Sequence, residues 1–164
     1  MFPDDIDTLA ATVIRLAVAR GLQVATAESC TGGLVAGALT GVAGSSAVLD
    51  RGFVTYSNAA KSDLVAVPAS LIDTHGAVSE PVARAMAEGA LARSAAAVSV
   101  AVTGVAGPGG GTADKPVGLV HFAAAGPDAV VHVEHRFGDR GREAVRLASV
   151  RVALNLLIDR LQAG

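Results

Sequence analysis

The stretch LQVATAESCTGGLVAGAL, residues 22–39, indicates the fold class of this protein. Residues 22–27 are a short apolar run, which is typical of a buried strand. Residues 28–33 form a polar turn with two glycines, and residues 34–39 continue as a helix of small residues. A strand that passes through a tight turn into a helix is the repeating unit of α/β proteins, so we predict an α/β fold.

Helices and strands alternate on both sides of this stretch. Apolar residues at helical spacing predict a first helix that Asp5 or Asp7 caps and that ends at Gly21. Residues 48–56 are predicted to form a second strand. The later elements that we predict are a helical turn from Ser57 or Asn58, a helix capped by Ser79, a strand from residue 97, two strands over 117–125 and 129–137, and a last helix whose apolar stripe runs from Leu147 to Leu161.

The second half of the chain indicates antiparallel pairing. Residues 126–128, Gly-Pro-Asp, separate two predicted strands and form a hairpin-like signal. Early strands that are joined by helices, followed by such a pair, indicate a mixed sheet between two layers of helices. We therefore predict one domain over residues 1–164, a three-layer α/β/α sandwich with a mixed central sheet.

Composition limits the classes of partner. The net charge of -2 provides no basic field for a nucleic acid or an acidic membrane surface. No apolar run reaches membrane-spanning length without a charge or a break, and the N-terminus lacks the features of a signal peptide. We expect a cytoplasmic protein with no nucleic-acid or membrane partner. The many alanines and glycines lead us to expect a homo-oligomer, a dimer or higher.

The turn after the first predicted strand carries a hydroxyl where open α/β folds bind ligands. Ser29 stands there, and the backbone N–H groups beyond it form the positive end of a helix, which suits a phosphate or a developing oxyanion. Gly32 and Gly33 would allow a ligand to approach closely. The structural alternative is that Ser29 or Thr31 only caps the helix.

The end of the second predicted strand carries the segment YSNAAK, residues 56–61. If Lys61 is directed at the sheet edge, it is desolvated, loses its proton near neutral pH and serves as a base for a serine. The alternative for Lys61 is an ordinary solvent-facing position on a helix. For Tyr56 the alternative is a half-buried strand residue with its hydroxyl in water.

A third segment, TGVAGPGGG over residues 103–111, follows a predicted buried strand and has almost no side chains. Such a loop presents bare N–H groups, which bind phosphate or carboxylate. The loop matches neither known phosphate motif, because Lys115 lacks P-loop spacing and the residues around it block a following helix. The alternative is a flexible connection.

Metal chemistry and cysteine chemistry are not indicated. His132 and His135 are three residues apart on one predicted strand, so their side chains face opposite sides and make a poor metal pair. Cys30 is the only cysteine. No histidine lies at a recognisable partner spacing from Cys30, and a cysteine among small residues usually contributes to packing. We expect Cys30 to pack inward with a raised pKa.

Four motifs, in order along the chain, carry a family resemblance. They are AESCTGG, AGSSAVLDRGFVTYSNAAK, HGAVSEPVARAMAEGAL and TGVAGPGGGTADKPVGLV. Together they resemble the CinA C-terminal domain family, from about Leu9 to Leu161. Members that stand alone at this length are nicotinamide-nucleotide amidohydrolases, which convert nicotinamide mononucleotide to nicotinic acid mononucleotide and ammonia. We expect this protein to lack the N-terminal pyrophosphatase-type domain of two-domain members.

The resemblance implies roles for individual residues. Ser29 is the nucleophile, which Lys61 and Tyr56 assist, and no metal or cofactor is required. Arg140 or Arg142 holds the place of a family arginine before the last helix, and we favour Arg142 because it begins the helix cleanly. The residues implied in substrate binding are Glu28, Cys30, Thr31, Gly32, Gly33, Thr103, Gly104, Ala106, Gly107, Pro108, Gly109, Gly110 and Arg142.

The implied mechanism is acyl-enzyme catalysis. Neutral Lys61, directly or through Tyr56, takes the proton of Ser29, which attacks the carboxamide carbon. Two other functions stay open: a competence-associated module that binds a nucleotide without turnover, and an amidase for a different small amide. The Ser29, Tyr56 and Lys61 set favours chemistry, because a phosphate binder has no use for a serine with a base.

Overall fold

A computed structural model describes residues 1–163 of the chain. Helices connect the strands in the first two thirds, with three in succession between the second and third strands, and a hairpin and a long helix complete the chain. The elements are α1 Asp4–Arg20, β1 Val24–Glu28, α2 Leu34–Thr40, a 3-10 turn Ser45–Ala47, β2 Leu49–Val54, α3 Asn58–Val65, α4 Ala69–His75, α5 Glu80–Ala92, β3 Val98–Gly104, β4 Leu119–Ala125, β5 Val130–Arg136 and α6 Arg142–Gln162.

The five strands form one mixed sheet in the order β2-β1-β3-β4-β5. β1 is parallel to both β2 and β3, whereas β4 is antiparallel to β3 and β5. Helices α1, α2 and α6 cover one face, and α3, α4 and α5 cover the other. The predicted α/β/α sandwich with a mixed sheet is therefore confirmed.

The two faces of β3 separate two apolar layers. Val100 and Val102 lie in the larger layer, with α1 and α6, whereas Ala101 lies in the smaller layer beneath α5. Small side chains on that face let the helices approach closely. The closest approach is at Gly89 of α5, where an added Cβ atom would lie 1.7 Å from the carbonyl oxygen of Val65.

Several predicted boundaries were wrong. Helix α1 begins at Asp4 with Pro3 at the cap position, so Asp5 and Asp7 lie within its first turn and interact there with the helix dipole. Ser57 does cap α3, because its side chain accepts from the N–H of Ala60. Strand β2 ends at Val54, before the predicted boundary at residue 56.

Helix α4 was not predicted, because its seven residues lie below the length at which apolar periodicity is recognisable. Ser79 precedes α5 as predicted, but its hydroxyl donates to the carbonyl of Gly76 instead of capping the helix. Within residues 1–163, no helix has both the length and the apolar character needed to cross a membrane.

Candidate active site

A cavity of about 320 Å³ lies at the carboxyl ends of β1 and β3. Parallel strands end at this edge, which is where open α/β sheets usually bind ligands. The residues that line it are Ser29, Cys30, Tyr56, Asn58, Lys61, Ala77, Val78, Thr103, Gly104, Val105, Ala106, Gly107, Gly109, Gly110 and Arg142. The cavity thus collects residues from all four sequence motifs, together with Arg142.

Ser29 and Lys61 are in direct contact in this cavity. Ser29 directly follows β1, and its N–H donates to the carbonyl of Val102 at 2.9 Å, which holds it against β3. Lys61 Nζ lies 3.1 Å from Ser29 Oγ and also donates to the carbonyl of Thr55 at 2.9 Å. The predicted proximity of the serine and the lysine is therefore confirmed.

The surroundings of Lys61 disfavour its positive charge. Lys61 is buried, with 1% of the residue exposed. Burial lowers the pKa of Lys61 below its ordinary value of 10.5. In the described residues, no carboxylate forms an ion pair with it. The lowered pKa favours the neutral, basic form of an amine that lies within reach of the serine hydroxyl, and the burial of Lys61 shows that the solvent-facing alternative is wrong.

Cys30 is next to Ser29, but within residues 1–163 no hydrogen bond joins its thiol to Lys61. It is 6% exposed, and burial raises the pKa of its thiol to about 12. A thiol with so high a pKa carries very little thiolate at neutral pH, and the thiolate is the reactive form. The predicted inward packing and raised pKa are confirmed.

Tyr56 does not contact either member of the pair through a hydrogen bond. Its side chain is 59% exposed, and its hydroxyl accepts from the guanidinium of Arg142 at 2.9 Å. Arg142 also donates to the carbonyl of Gly107 at 2.9 Å, so it joins Tyr56 to the glycine-rich loop. The relay through Tyr56 is therefore not the observed arrangement. Arg142 lines the cavity, and Arg140 does not.

The N-terminus of α2 binds a side-chain carboxylate of the protein itself. The carboxylate of Glu28, 1% exposed, accepts from the backbone N–H groups of Gly33, Val35 and Ala36 at 2.9–3.2 Å. These are the donors that a helix start leaves unpaired, and a carboxylate there also interacts favourably with the helix dipole. These three N–H groups therefore bind Glu28 and not a ligand, and the alternative cap by Ser29 or Thr31 is wrong.

Gly32 and Gly33 allow the backbone conformation of this turn. Their φ angles are +58° and +100°, a region that L-residues with side chains rarely adopt. A Cβ atom would have ordinary contacts at 3.5 Å and 3.6 Å, so it is conformation, not space, that requires glycine. Neither glycine lines the cavity, and neither does Thr31, which is fully buried.

The glycine-rich loop forms one wall of the cavity, with the exception of Pro108 and Gly111, which do not line it. The hydroxyl of Thr103 donates to the carbonyl of Ala77 at 2.9 Å and so joins the end of β3 to the opposite wall. That wall includes Val78, from the connection between α4 and α5. We did not predict Ala77, Val78 or Asn58, although the HGAVSE motif contains the first two.

A second polar cluster lies outside the cavity, on β4 and β5. Nδ1 of His121 is 2.9 Å from Nε2 of His132, and the far nitrogens of the two rings face Glu134 and Glu80. Burial lowers the pKa of both imidazoles. Over residues 1–163, no group of three or more His, Cys, Asp or Glu side chains has the geometry of a metal site.

Solved structures of similar proteins match the whole chain. The chain is 58% identical to the competence/damage inducible protein CihA from Agrobacterium tumefaciens, with a TM-score of 0.97 and 99% coverage of both chains. It is 36% identical to a CinA superfamily protein from Escherichia coli, with a TM-score of 0.90 and coverage of 96% of this chain and 92% of that one.

Longer relatives match over nearly the same region. A CinA-like protein from Synechococcus sp. (strain RCC307) is 54% identical over 157 residues, which are 95% of this chain. The chain spans only 38% of the length of that relative. The CinA C-terminal domain family matches residues 6–161. This chain belongs to the CinA C-terminal domain family.

Proposed function

We propose that the protein is a nicotinamide-nucleotide amidohydrolase that converts nicotinamide mononucleotide to nicotinic acid mononucleotide and ammonia. The observation that carries the chemistry is the 3.1 Å contact between Lys61 Nζ and Ser29 Oγ at a cavity wall. A serine with a buried, unpaired lysine is the arrangement of a nucleophile and its base. The substrate is inferred from the resemblance to family members that stand alone at this length.

The first half of the reaction forms an acyl-enzyme. Neutral Lys61 accepts the hydroxyl proton of Ser29 while Oγ bonds to the carboxamide carbon, and the carbonyl oxygen becomes an oxyanion. Lys61 then donates that proton to the amide nitrogen, the C–N bond breaks, and ammonia leaves. A direct Lys61 contact makes a relay through Tyr56 unnecessary.

The second half hydrolyses the acyl-enzyme. Water gives a proton to Lys61 and bonds to the acyl carbon, after which the bond to Ser29 Oγ breaks and the serine recovers its proton. The net change is an amide and water to a carboxylic acid and ammonia. The fixed positive charge of the pyridinium ring next to the carbonyl makes this amide more electrophilic than an ordinary one.

The walls of the cavity suit the remainder of a mononucleotide. The loop with Gly107, Gly109 and Gly110 presents backbone close to a ligand, and Arg142 adds a guanidinium at the same wall. A guanidinium binds phosphate through two parallel hydrogen bonds, which gives both affinity and orientation. We assign the phosphate to this side and the carboxamide to Ser29.

The test of this proposal is ammonia release by the purified protein. Nicotinamide mononucleotide should be hydrolysed, and nicotinamide, its riboside and NAD should react far more slowly, because each lacks the free phosphate or carries a second nucleotide. Binding of the mononucleotide without ammonia release would instead identify a binding module. Faster release from a phosphate-free amide would identify an amidase for a different substrate.

A variant of Arg142 tests the phosphate assignment. Hydrogen bonds to charged groups contribute about 1.5–3 kcal/mol, so Arg142→Ala should raise the KM for nicotinamide mononucleotide about 10- to 100-fold with a smaller fall in kcat. Inorganic phosphate should compete with substrate in the wild-type protein. Arg140→Ala is the control, because Arg140 is exposed and does not line the cavity. A fall in kcat at unchanged KM would contradict a role in phosphate binding.

A further inference from the structure

The nucleophile begins a tight turn. The carbonyl of Ser29 accepts from the N–H of Gly32 at 3.0 Å, which closes a four-residue turn with Cys30 and Thr31 at its centre. Serine at the first position and glycine at the fourth are both favoured in such turns. The two central residues leave their own carbonyls without a partner inside the turn.

Arg146 of α6 binds both central carbonyls. Its Nε donates to the carbonyl of Cys30 at 3.1 Å, and one terminal nitrogen donates to the carbonyl of Thr31 at 3.1 Å. The side chain reaches across from a helix that is more than a hundred residues away in the sequence. Arg146 thereby restrains the Cys30–Thr31 and Thr31–Gly32 peptides, which follow the Ser29–Cys30 peptide. The carbonyl of Thr31 also accepts from the N–H of Leu34 at 3.1 Å.

We propose that Arg146 is a positioning residue that holds the Ser29 turn in the geometry required to stabilise the oxyanion. This inference rests on the proposed amidohydrolase function. The oxyanion donor that it assigns is the backbone N–H of Cys30, the residue after the nucleophile. Arg146 acts on this donor indirectly, by fixing the next two peptides of the turn through their carbonyls, and does not touch the substrate.

The peptide geometry supports this assignment. In a trans peptide the C=O and the N–H point in opposite directions, and Ser29 C=O and Cys30 N–H share one peptide. Since the carbonyl of Ser29 is directed into the turn, towards Gly32, the N–H of Cys30 is directed out of it. Within residues 1–163 the N–H of Cys30 donates to no other residue. Cys30 also lines the cavity.

The location of Arg146 separates its role from that of Arg142. The two arginines are one turn apart on α6, but only Arg142 lines the cavity. Arg146 lies instead beside a surface pocket with Phe2, Leu34 and Leu147. A loss of Arg146 therefore removes no side chain that faces the substrate, and any effect on the reaction has to pass through the turn.

The matched variants are Arg146→Met and Arg146→Lys. Methionine keeps part of the aliphatic stem but no donor, whereas lysine keeps the charge but lacks the rigid planar fork that reaches two carbonyls at once. Arg151→Met is the control, because it removes a positive charge from the same helix, where Arg151 pairs with Asp5 at the surface. All variants should be compared by thermal unfolding before kinetics.

We expect a loss of kcat without a loss of substrate affinity. Removal of a whole oxyanion donor costs about 10²–10³ in kcat, so a displaced donor in Arg146→Met should cost about 10- to 100-fold at an unchanged KM. Arg146→Lys should lie between this variant and the wild type, and Arg151→Met should match the wild type. The affinity of pyridine-3-boronic acid, a probe that forms a tetrahedral adduct with a serine hydroxyl, should fall in parallel with kcat.

The possible failures are distinguishable. A wild-type protein that releases ammonia, together with folded Arg146 variants of equal kcat and boronate affinity, would overturn the positioning role and leave the proposed function intact. A rise in KM with unchanged kcat would also overturn it. A wild-type protein that releases no ammonia would overturn the proposed function and this inference together. If Arg146→Met does not fold, the same comparison rests on Arg146→Lys.

Discussion

Ser29→Ala should remove nearly all turnover, with a fall in kcat on the order of a thousandfold or more, because Ser29 carries the hydroxyl that contacts Lys61 and would form the acyl-enzyme. Its neighbour provides the matched comparison, since Cys30 is the more nucleophilic residue type but is 6% exposed with a pKa of about 12. Cys30→Ala should keep most of the activity and lose about 1 kcal/mol in the free energy of unfolding. The measurement is ammonia release with each purified variant.

Chemical modification offers an independent check of the same assignment. Thiol alkylation of the folded protein should leave the activity largely unchanged, because the Cys30 thiol is buried and protonated at neutral pH. An active Ser29→Ala protein, combined with a folded but inactive Cys30→Ala protein, would reverse the assignment of the nucleophile.

Lys61→Met should also abolish most turnover, while the folded state keeps or gains stability. General-base catalysis contributes about 10²–10⁴ to the rate, so kcat should fall by at least that factor. The lysine is buried without a carboxylate partner, and a methionine of similar shape avoids the cost of desolvating an amine. The free energy of unfolding at pH 7 should therefore be equal to or higher than that of the wild type, which chemical denaturation measures.

The stability difference between Lys61→Met and the wild type should depend on pH in one direction. Burial lowers the pKa of Lys61 in the folded state below 10.5, so the unfolded chain binds the proton more readily. The stability difference in favour of Lys61→Met should be smallest above pH 10.5 and should grow as the pH falls towards the folded-state pKa. In the wild type, kcat/KM should fall on acidification as the amine becomes protonated.

The control for this variant is the other lysine of the chain. Lys115 lies outside the cavity lining and donates to the carbonyl of His75. Lys115→Met should retain most turnover, because it makes the same substitution without removing a base. Equal loss of activity in both variants would indicate that net charge, and not proton transfer, explains the effect of Lys61→Met.

The amino-acid sequence by itself determined the architecture and the central pair. Apolar runs of strand length, separated by helical patterns, predict the mixed sheet because burial requires that periodicity in every element. The rule that ligands bind at the carboxyl ends of parallel strands places Ser29 and Lys61 at one edge. Their pairing was implied by the family resemblance, and the 3.1 Å contact is shown by the structure. Boundaries and the short helix α4 were less predictable, because few residues carry each signal.

The contacts around the pair depended on the tertiary structure. Glu28 lies within ten residues of the helix start that it caps. Only the direction of its side chain at the end of β1 shows that the carboxylate contacts α2 and does not face the cavity. Sequence motifs indicate residue types at a junction and do not specify which side each side chain faces.

The arginines of α6 show most clearly that a sequence gives residue types and the structure gives side-chain directions. Six arginines lie at or after the end of β5, and their spacing does not distinguish a solvated face from a functional one. The docking of α6 against the sheet directs Arg142 to Tyr56 and the cavity, Arg146 to the carbonyls behind Ser29, and Arg151 to the surface. These assignments join residues that are 86 to 146 positions apart, so they follow from the packing of whole elements and not from any local pattern.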